Sequence, residues 1–299
     1  MLQTNQRKAY FLAISAVIAW STVATVFKIA LSKLNLMEII FIASLTASLF
    51  LFLFILITKK QNLIFKQNLK DLLNSCLLGF LNPFLYYLIL FKAYDLLPAQ
   101  EALTLNYSWV IVTVILSIII LKQVISVIEI TGLLISFIGV ILIVSKGKIF
   151  SMTFESPLGV VLALLSSIIW GFYWILNLKD KRDDIVKLLM NFIFGFLYIT
   201  ILNCVMKSSF NYDIISVLPS IYIGIFEMGI TFVLWLSALR YSENTAKVGN
   251  LIFLSPFISL LFISIFLDEN IQFFTIIGLV FIIIGSLCQK KTLNYKQLK

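Results

Sequence analysis

Glu227 is the residue whose setting asks first for chemistry. It stands about ten residues from either end of Val217–Ala238, a stretch with no other charged side chain, inside Gly224-Ile-Phe-Glu-Met-Gly229. A carboxylate so placed must face a polar interior, a water-filled cavity or a basic partner, because an ionised group amid hydrocarbon costs several kcal/mol. There it can take up and release a proton, bind a polar group of a solute, or make a structural contact. Thr231 and Trp235 follow at i+4 and i+8 and give the same helical face a polar, aromatic character. Lys28 and Glu101 are a second pair to weigh. Each lies about three residues from the end of its own apolar run, so an ion pair between them would offset much of their desolvation. Lys28 shares a face with Ser21 and Thr25, which also suits a gate or a carboxylate-binding lysine.

Amides and aromatic rings recur at helical spacing. Asn106, Trp109 and Thr113 fall on one face, with Tyr107 beside them. Ser166, Trp170, Tyr173 and Asn177 follow at i, i+4, i+7 and i+11, with Trp174 flanking the stripe. Asn82 with Tyr86, Trp20, and Asn250 ahead of Pro256 complete the set. Rings near helix ends commonly form an interfacial belt. Rings halfway along a helix, beside amides, instead suit a pocket for flat or amphipathic solutes. The chain has no histidine, and its three cysteines, Cys76, Cys204 and Cys288, are scattered through apolar segments. No metal site, disulfide framework or cofactor is expected from this set. Neither a nucleophile–base pair nor paired acids emerge, so an enzyme is not expected.

The elements that must carry these residues are apolar throughout. Hydrophobic residues make up 61% of the 299, charged residues only 12%, and the mean hydropathy is +1.05. A soluble domain carries about a quarter charged residues. About twenty helical residues cross a hydrocarbon core, and the sequence predicts ten such spans. They are Ala9–Leu31, Met37–Thr58, Leu72–Phe91, Ala99–Leu121, Val127–Val144, Leu158–Leu176, Leu188–Val205, Val217–Ala238, Ala246–Phe266 and Phe273–Cys288. The apolar runs do not alternate in the two-residue period of barrel strands, so the predicted fold class is an all-α membrane protein. The first span is too long for a cleaved leader and a second follows at once.

The net charge of +9 follows this layout and does not point to nucleic acid. With the amino end inside, seventeen of the 23 Lys and Arg residues fall on the cytoplasmic side. That excess places both termini in the cytoplasm. The chain is also written twice. Residues 94–109 align with 241–256, and Gly132-Leu-Leu-Ile-Ser-Phe-Ile-Gly139 falls on Gly278-Leu-Val-Phe-Ile-Ile-Ile-Gly285. Trp20 and Trp170 occupy similar places in the first helix of each half. Two five-helix repeats, 1–150 and 151–299, would insert with opposite orientation because five is odd. The join falls in the link from Lys146 to Pro157. Inverted repeats of this kind place a solute near the midplane between the halves. Gly132, Ser136 and Gly139 form a small-residue face for close helix packing.

The quoted segments resemble the drug/metabolite transporter superfamily, in its ten-helix EamA-type branch. The resemblance rests on Ala19-Trp-Ser-Thr-Val-Ala-Thr-Val-Phe-Lys28, Leu96-Leu-Pro-Ala-Gln-Glu-Ala102, Asn106-Tyr-Ser-Trp109, Phe226-Glu-Met-Gly-Ile-Thr-Phe-Val-Leu-Trp235 and Asn250-Leu-Ile-Phe-Leu-Ser-Pro-Phe257. It covers essentially the whole chain. Asn106-Tyr-Ser-Trp109 is similar to an element of bacterial aromatic amino-acid exporters, with Val110 where those often have proline. Glu269 matches the family's acidic residue after the ninth span, whereas the first half has Lys122–Gln123. The resemblance implies a bacterial cytoplasmic membrane and export of small amphipathic metabolites such as amino acids. No G-x-x-x-x-G-K-[ST] loop is present, so the expected partners are a small-molecule solute, the lipid bilayer and protons, with Glu227 as coupling group. Uptake or exchange of a nucleotide-like metabolite, or a non-transporting receptor, are the alternatives.

Overall fold

The structure is a computed structural model that describes residues 5–121, 127–147, 156–206, 213–241 and 250–296. Lys122–Gln123, Ala246 and most of the expected link between the halves lie outside them. The described residues are helical: α1 (Gln6–Leu31), α2 (Leu36–Ile57), the short α3 (Gln61–Ile64), α4 (Leu69–Gly79), α5 (Tyr86–Leu96), α6 (Ala99–Asn106), α7 (Trp109–Leu121), α8 (Val127–Val144), α9 (Pro157–Lys179), α10 (Asp184–Met206), α11 (Ile214–Tyr222), α12 (Thr231–Tyr241), α13 (Ser255–Leu267) and α14 (Phe273–Lys296). The ends are set by polar residues that the apolar runs lack. Asn35 with Glu38 and Asn68 with Asp71 form reciprocal capping boxes, and Ser156 and Asp213 accept from Gly159 and Ser216 backbone amides. Each cap satisfies amides that a helix start leaves open.

Polarity is turned outside in. Phe11, Ile57, Ile119, Leu261 and Ile265 are exposed, while Ser21, Asn82, Thr104, Ser166, Asn191 and Glu227 are buried. A bundle solvated by lipid has this distribution; one solvated by water does not. Six helical stretches are long and apolar enough to cross a membrane: Gln6–Leu31, Leu36–Ile57, Leu69–Leu96, Pro157–Asn177, Asp184–Met206 and Ile214–Trp235. Ile130–Ile143, Leu251–Leu267 and Phe273–Gly285 are shorter apolar helices.

Four expected spans are not the uniform helices that the sequence suggested. The third and eighth each carry a π-helical segment, at Phe80–Leu85 and Ile223–Ile230. In the third, Pro83 has no N–H to give and pushes the preceding residue away from helical angles, so Asn82 sits at φ −148, ψ 120. The fourth is divided between α6 and α7 at Tyr107 and Ser108. There the ladder tightens to i→i−3 bonds, Ser108 N to Leu105 O at 3.1 Å and Ile111 N to Ser108 O at 2.9 Å. The physical cause is side-chain competition. Asn106 donates to Ser166 Oγ (2.8 Å) and Ser108 to Ser167 Oγ (2.9 Å), drawing the joint onto α9. In the ninth, a 3-10 turn at Asn250–Leu254 precedes α13, which starts with Pro256 in its first turn, where a missing N–H does least harm.

Helices α8 and α14 pack closely along their length with antiparallel chains. A Cβ on Gly139 would strike the Gly278 carbonyl, one on Gly278 would lie 2.6 Å from the Gly139 carbonyl, and one on Gly285 would strike Gly132 and Ser136. Between them Ser136 donates to the Ile282 carbonyl (3.2 Å). By the sequence alignment Gly278 is the mate of Gly132, and Gly285 the mate of Gly139. The contact is therefore reciprocal, the self-complementary pattern that a two-fold relation produces. The second helices, α2 and α10, also pack together. Gly79 sits against the Asn191 carbonyl on α10, and Gly224 against the Ala43 carbonyl on α2.

Candidate functional site

Glu227 lies in the π segment of Ile223–Ile230 and is 8% exposed. Its carboxylate accepts a hydrogen bond from the Tyr87 hydroxyl at 3.0 Å, and Tyr87 is fully buried on α5. The acid therefore faces protein. Within this widened turn the Thr231 hydroxyl donates to the Phe226 carbonyl. Thr231 is thus committed to the backbone of the bulge, a feature common at functional sites in helices.

Next to this acid runs an aromatic band centred on Phe232. Trp20 meets Phe232 edge-on at 5.9 Å and Trp235 at 5.7 Å. Trp174 stacks on Phe232 at 5.8 Å and 16°, and Trp170 meets Phe232 at 6.1 Å. Tyr173 and Tyr86 extend the band from Trp170, Tyr86 stacked on it at 4.5 Å. The Tyr86 hydroxyl points to Asn106 Oδ1 at 3.4 Å, a weak bond, and Asn106 passes the contact to Ser166. Tyr107 lies beside Ser255 of α13, whose side chain also accepts from Ser21 of α1 at 3.2 Å. Trp109 is half-buried against the main core and takes no part in the band. The side chain of Asn250 lies outside the described residues. Asn82 is fully buried, near Tyr173.

Two ends of the bundle differ. At one, a cleft of about 400 Å³ is lined by Tyr173, Trp174, Asn177, Leu188 and Phe232, with charged residues of the α9–α10 link at its mouth. Arg182 holds Asp180 (2.5 Å), Gln67 (2.8 Å) and Ser75 (2.8 Å), and Lys60 pairs with Asp183 at 2.6 Å. Burial raises the Asp180 and Asp183 carboxyls, but the bonds from Arg182 and Lys60 outweigh it and hold both below the ordinary 3.8.

At the other end Glu269, in the link after α13, accepts from the Ala99 amide (2.8 Å) and the Gln100 amide (3.3 Å). It thereby caps α6, whose own N-cap is Pro98 and has no side chain to give. Gln100 returns bonds to Asn270 O (3.0 Å) and from the Gln272 amide (2.9 Å). The ion pair expected between Lys28 and Glu101 does not form. Glu101 pairs with Lys146, just past α8, at 3.0 Å. The reason is lateral position at equal depth: the end of α8 lies over α6, whereas Lys28 faces the fields of Glu269 and Asp95.

Tyr87, Phe232 and Asn191 were not singled out by sequence. Tyr87 and Phe232 read as core residues beside better-marked neighbours. Asn191 was legible by the same rule that flagged Asn82, a lone amide within an apolar run. Among the described residues no three His, Cys, Asp or Glu side chains gather as metal ligands would.

The architecture has known counterparts. A solved crystal structure superposes with a TM-score of 0.68, over 99% of this chain and 100% of that one, at 17% identity, a likeness of fold alone. Three curated proteins described as uncharacterized transporters are similar in sequence. One from Clostridium kluyveri is 30% identical over 177 residues, 56% of each chain. One from Archaeoglobus fulgidus is 27% identical over 161 residues, 52% of this chain and 55% of that protein. One from Acidianus ambivalens is 29% identical over 173 residues, 56% and 66% respectively. The chain thus spans between about half and two thirds of the length of these curated relatives. The model of the EamA-like transporter family matches residues 7–145 and again 157–288. With helices, inward polarity and both matched regions in agreement, the chain is a multi-pass membrane protein that belongs to the EamA-like transporter family.

Proposed function

We propose that the protein exports small amphipathic metabolites such as amino acids across the cytoplasmic membrane, by alternating access coupled to protons. The halves 1–150 and 151–299 act as two inverted five-helix units around a shared chamber, and both termini face the cytoplasm. The reciprocal glycine contact of α8 with α14 and the paired π segments of the third and eighth spans support this division. The observation that carries the reading is Glu227, a buried carboxylate held by Tyr87 beside an aromatic band that leads to the cleft. A carboxylic acid there can be loaded from one side and unloaded to the other as the bundle rocks. The cleft suits an amphipathic solute, with rings for the apolar part and polar side chains at the mouth. Two of the three mouth cations, Arg182 and Lys187, are engaged by Asp180 and Asp184, which disfavours a phosphate-bearing solute.

Proteoliposomes with an imposed pH gradient test the coupling, using a panel of labelled amino acids. Glu227→Gln is expected to abolish gradient-driven flux while preserving the folded, monodisperse protein. Gradient-driven flux equal to wild type would remove Glu227 from coupling.

A further inference from the structure

Beneath the mouth of the cleft lies a set of buried polar groups that lie near one another without meeting hydrogen-bond geometry. Asn82 and Asn191 are fully buried, and neither amide atom of either has a partner at hydrogen-bond geometry. The Tyr173 hydroxyl, on a side chain 1% exposed, is likewise unpartnered. These groups are neighbours: Tyr173 lies within interaction reach of Asn191, Asn82 and Asn177. Tyr173 and Asn177 line the cleft itself. Native proteins pair nearly all buried polar atoms, so a cluster of orphans calls for an explanation.

The fold goes to some length to assemble it. Pro83 turns the Asn82 backbone out of the helix, and irregular backbone at membrane depth persists where it is buried in protein or lines a cavity. Gly79 and Gly195 bring α4 against α10, so that Asn82 and Asn191 approach from opposite helices. The cluster carries no charge. At the mouth Arg182 pairs with Asp180 and Lys187 with Asp184, and the exposed Lys181 stands beside them. What remains is two carboxamides, each able to donate and accept, and one phenol able to do either. An ionic group would be desolvated here without a counter-charge, whereas a neutral edge with an adjacent donor and acceptor matches an asparagine amide in both senses.

We propose that Asn82, Asn191 and Tyr173 form the subsite for an uncharged amide-type edge of the carried solute: a primary carboxamide, a lactam or a nucleobase imide. Trp174 and Phe232, on the wall of the cleft that Tyr173 lines, receive its apolar body. This deepens the transport reading and rests on it.

Equilibrium binding to the purified full-length protein tests the subsite. The amide probes are nicotinamide, uracil and L-glutamine; nicotinate and L-glutamate are carboxylate counterparts, and 3-acetylpyridine keeps the acceptor without the N–H. At least one amide is expected to bind saturably, tenfold or more tighter than its carboxylate counterpart or 3-acetylpyridine. Asn191→Leu should weaken that binding at least tenfold. Tyr173→Phe, a milder change that keeps the ring, should weaken it severalfold, and Lys92→Ala at the opposite end should leave it unchanged. Carboxylates bound as tightly as amides, or no amide bound at all, would overturn the proposal. So would wild-type affinity in Tyr173→Phe and in folded Asn191→Leu, which would mark the cluster as a holder of water only. The transport reading fails separately, if wild-type vesicles move none of the amides, the carboxylates or the aromatic amino acids.

Discussion

The Tyr87–Glu227 bond ties two spans together through one buried acceptor. Removing the donor leaves the acid side unpaired, and an unpaired buried polar group costs about 1–3 kcal/mol. Tyr87→Phe is therefore expected to lower the thermal midpoint in detergent and to reduce gradient-driven flux; Tyr94→Phe, whose hydroxyl makes no such bond to Glu227, serves as the comparison. The α9–α10 link gives a second test. The folded state lowers the Asp180 and Asp183 carboxyls, so it favours their charged forms. Their stabilisation is thus complete above the ordinary value of 3.8 and disappears as pH falls through their lower folded values. Protection of the Asp180 and Arg182 amides, taken relative to intrinsic exchange at each pH, should persist at pH 5 and be lost only below about pH 4. Arg182→Ala should make the same amides exchange quickly at pH 7. At this scale the sequence was legible by residue type and blind to partners. Glu227, Trp20, Trp170, Tyr173 and Trp174 stood out because each is unusual in an apolar run. Phe232 and Tyr87 resemble any core residue, and only packing makes one a hub and the other a donor. Lys28 and Glu101 had equal depth, yet depth fixes one coordinate and the pairing needed all three.

Six of the ten expected spans coincide, among the described residues, with helical stretches long and apolar enough to cross a membrane, because about twenty apolar residues have one stable form in lipid. Their internal irregularities do not follow from hydropathy. The π segments add one residue per turn without changing composition. The first contains Pro83, a local cause that was not singled out, whereas the second, at Ile223–Ile230, has no proline within it. The joint between α6 and α7 depends on Ser166 and Ser167, some 60 residues away, and no local pattern encodes that. The small-residue seam was legible, since Gly132, Ser136 and Gly139 mark a face that admits close approach. Gly278→Val tests it directly. The added carbons meet Ile143 and the Gly139 carbonyl, and overpacking of this kind costs about 1–3 kcal/mol. The thermal midpoint should fall accordingly, while Gly159→Ala, which adds one carbon against the Leu97 side chain and no backbone carbonyl, should cost less.

At the scale of the whole molecule, one end of the bundle is clasped and the other holds the cleft. Glu269, Gln100, Glu101 and Lys146 join the closed end, with α6 capped by a carboxylate from the opposite half. The α1 start lies beside Tyr241 at the end where the cleft opens, and α14 runs toward that end from its own start near Glu269. If the two ends open in alternation, loosening the clasp must narrow the cleft. Spin labels at Asp95 and Asn270 report the closed end, and labels at Arg7 and Lys181 report the open one; all four residues are exposed. Pulsed electron–electron distances should show that Glu269→Ala lengthens Asp95–Asn270 and, in the same sample, shortens Arg7–Lys181. A closed end that separates with no change at the cleft, or two distances that lengthen together, would contradict alternating access in this protein.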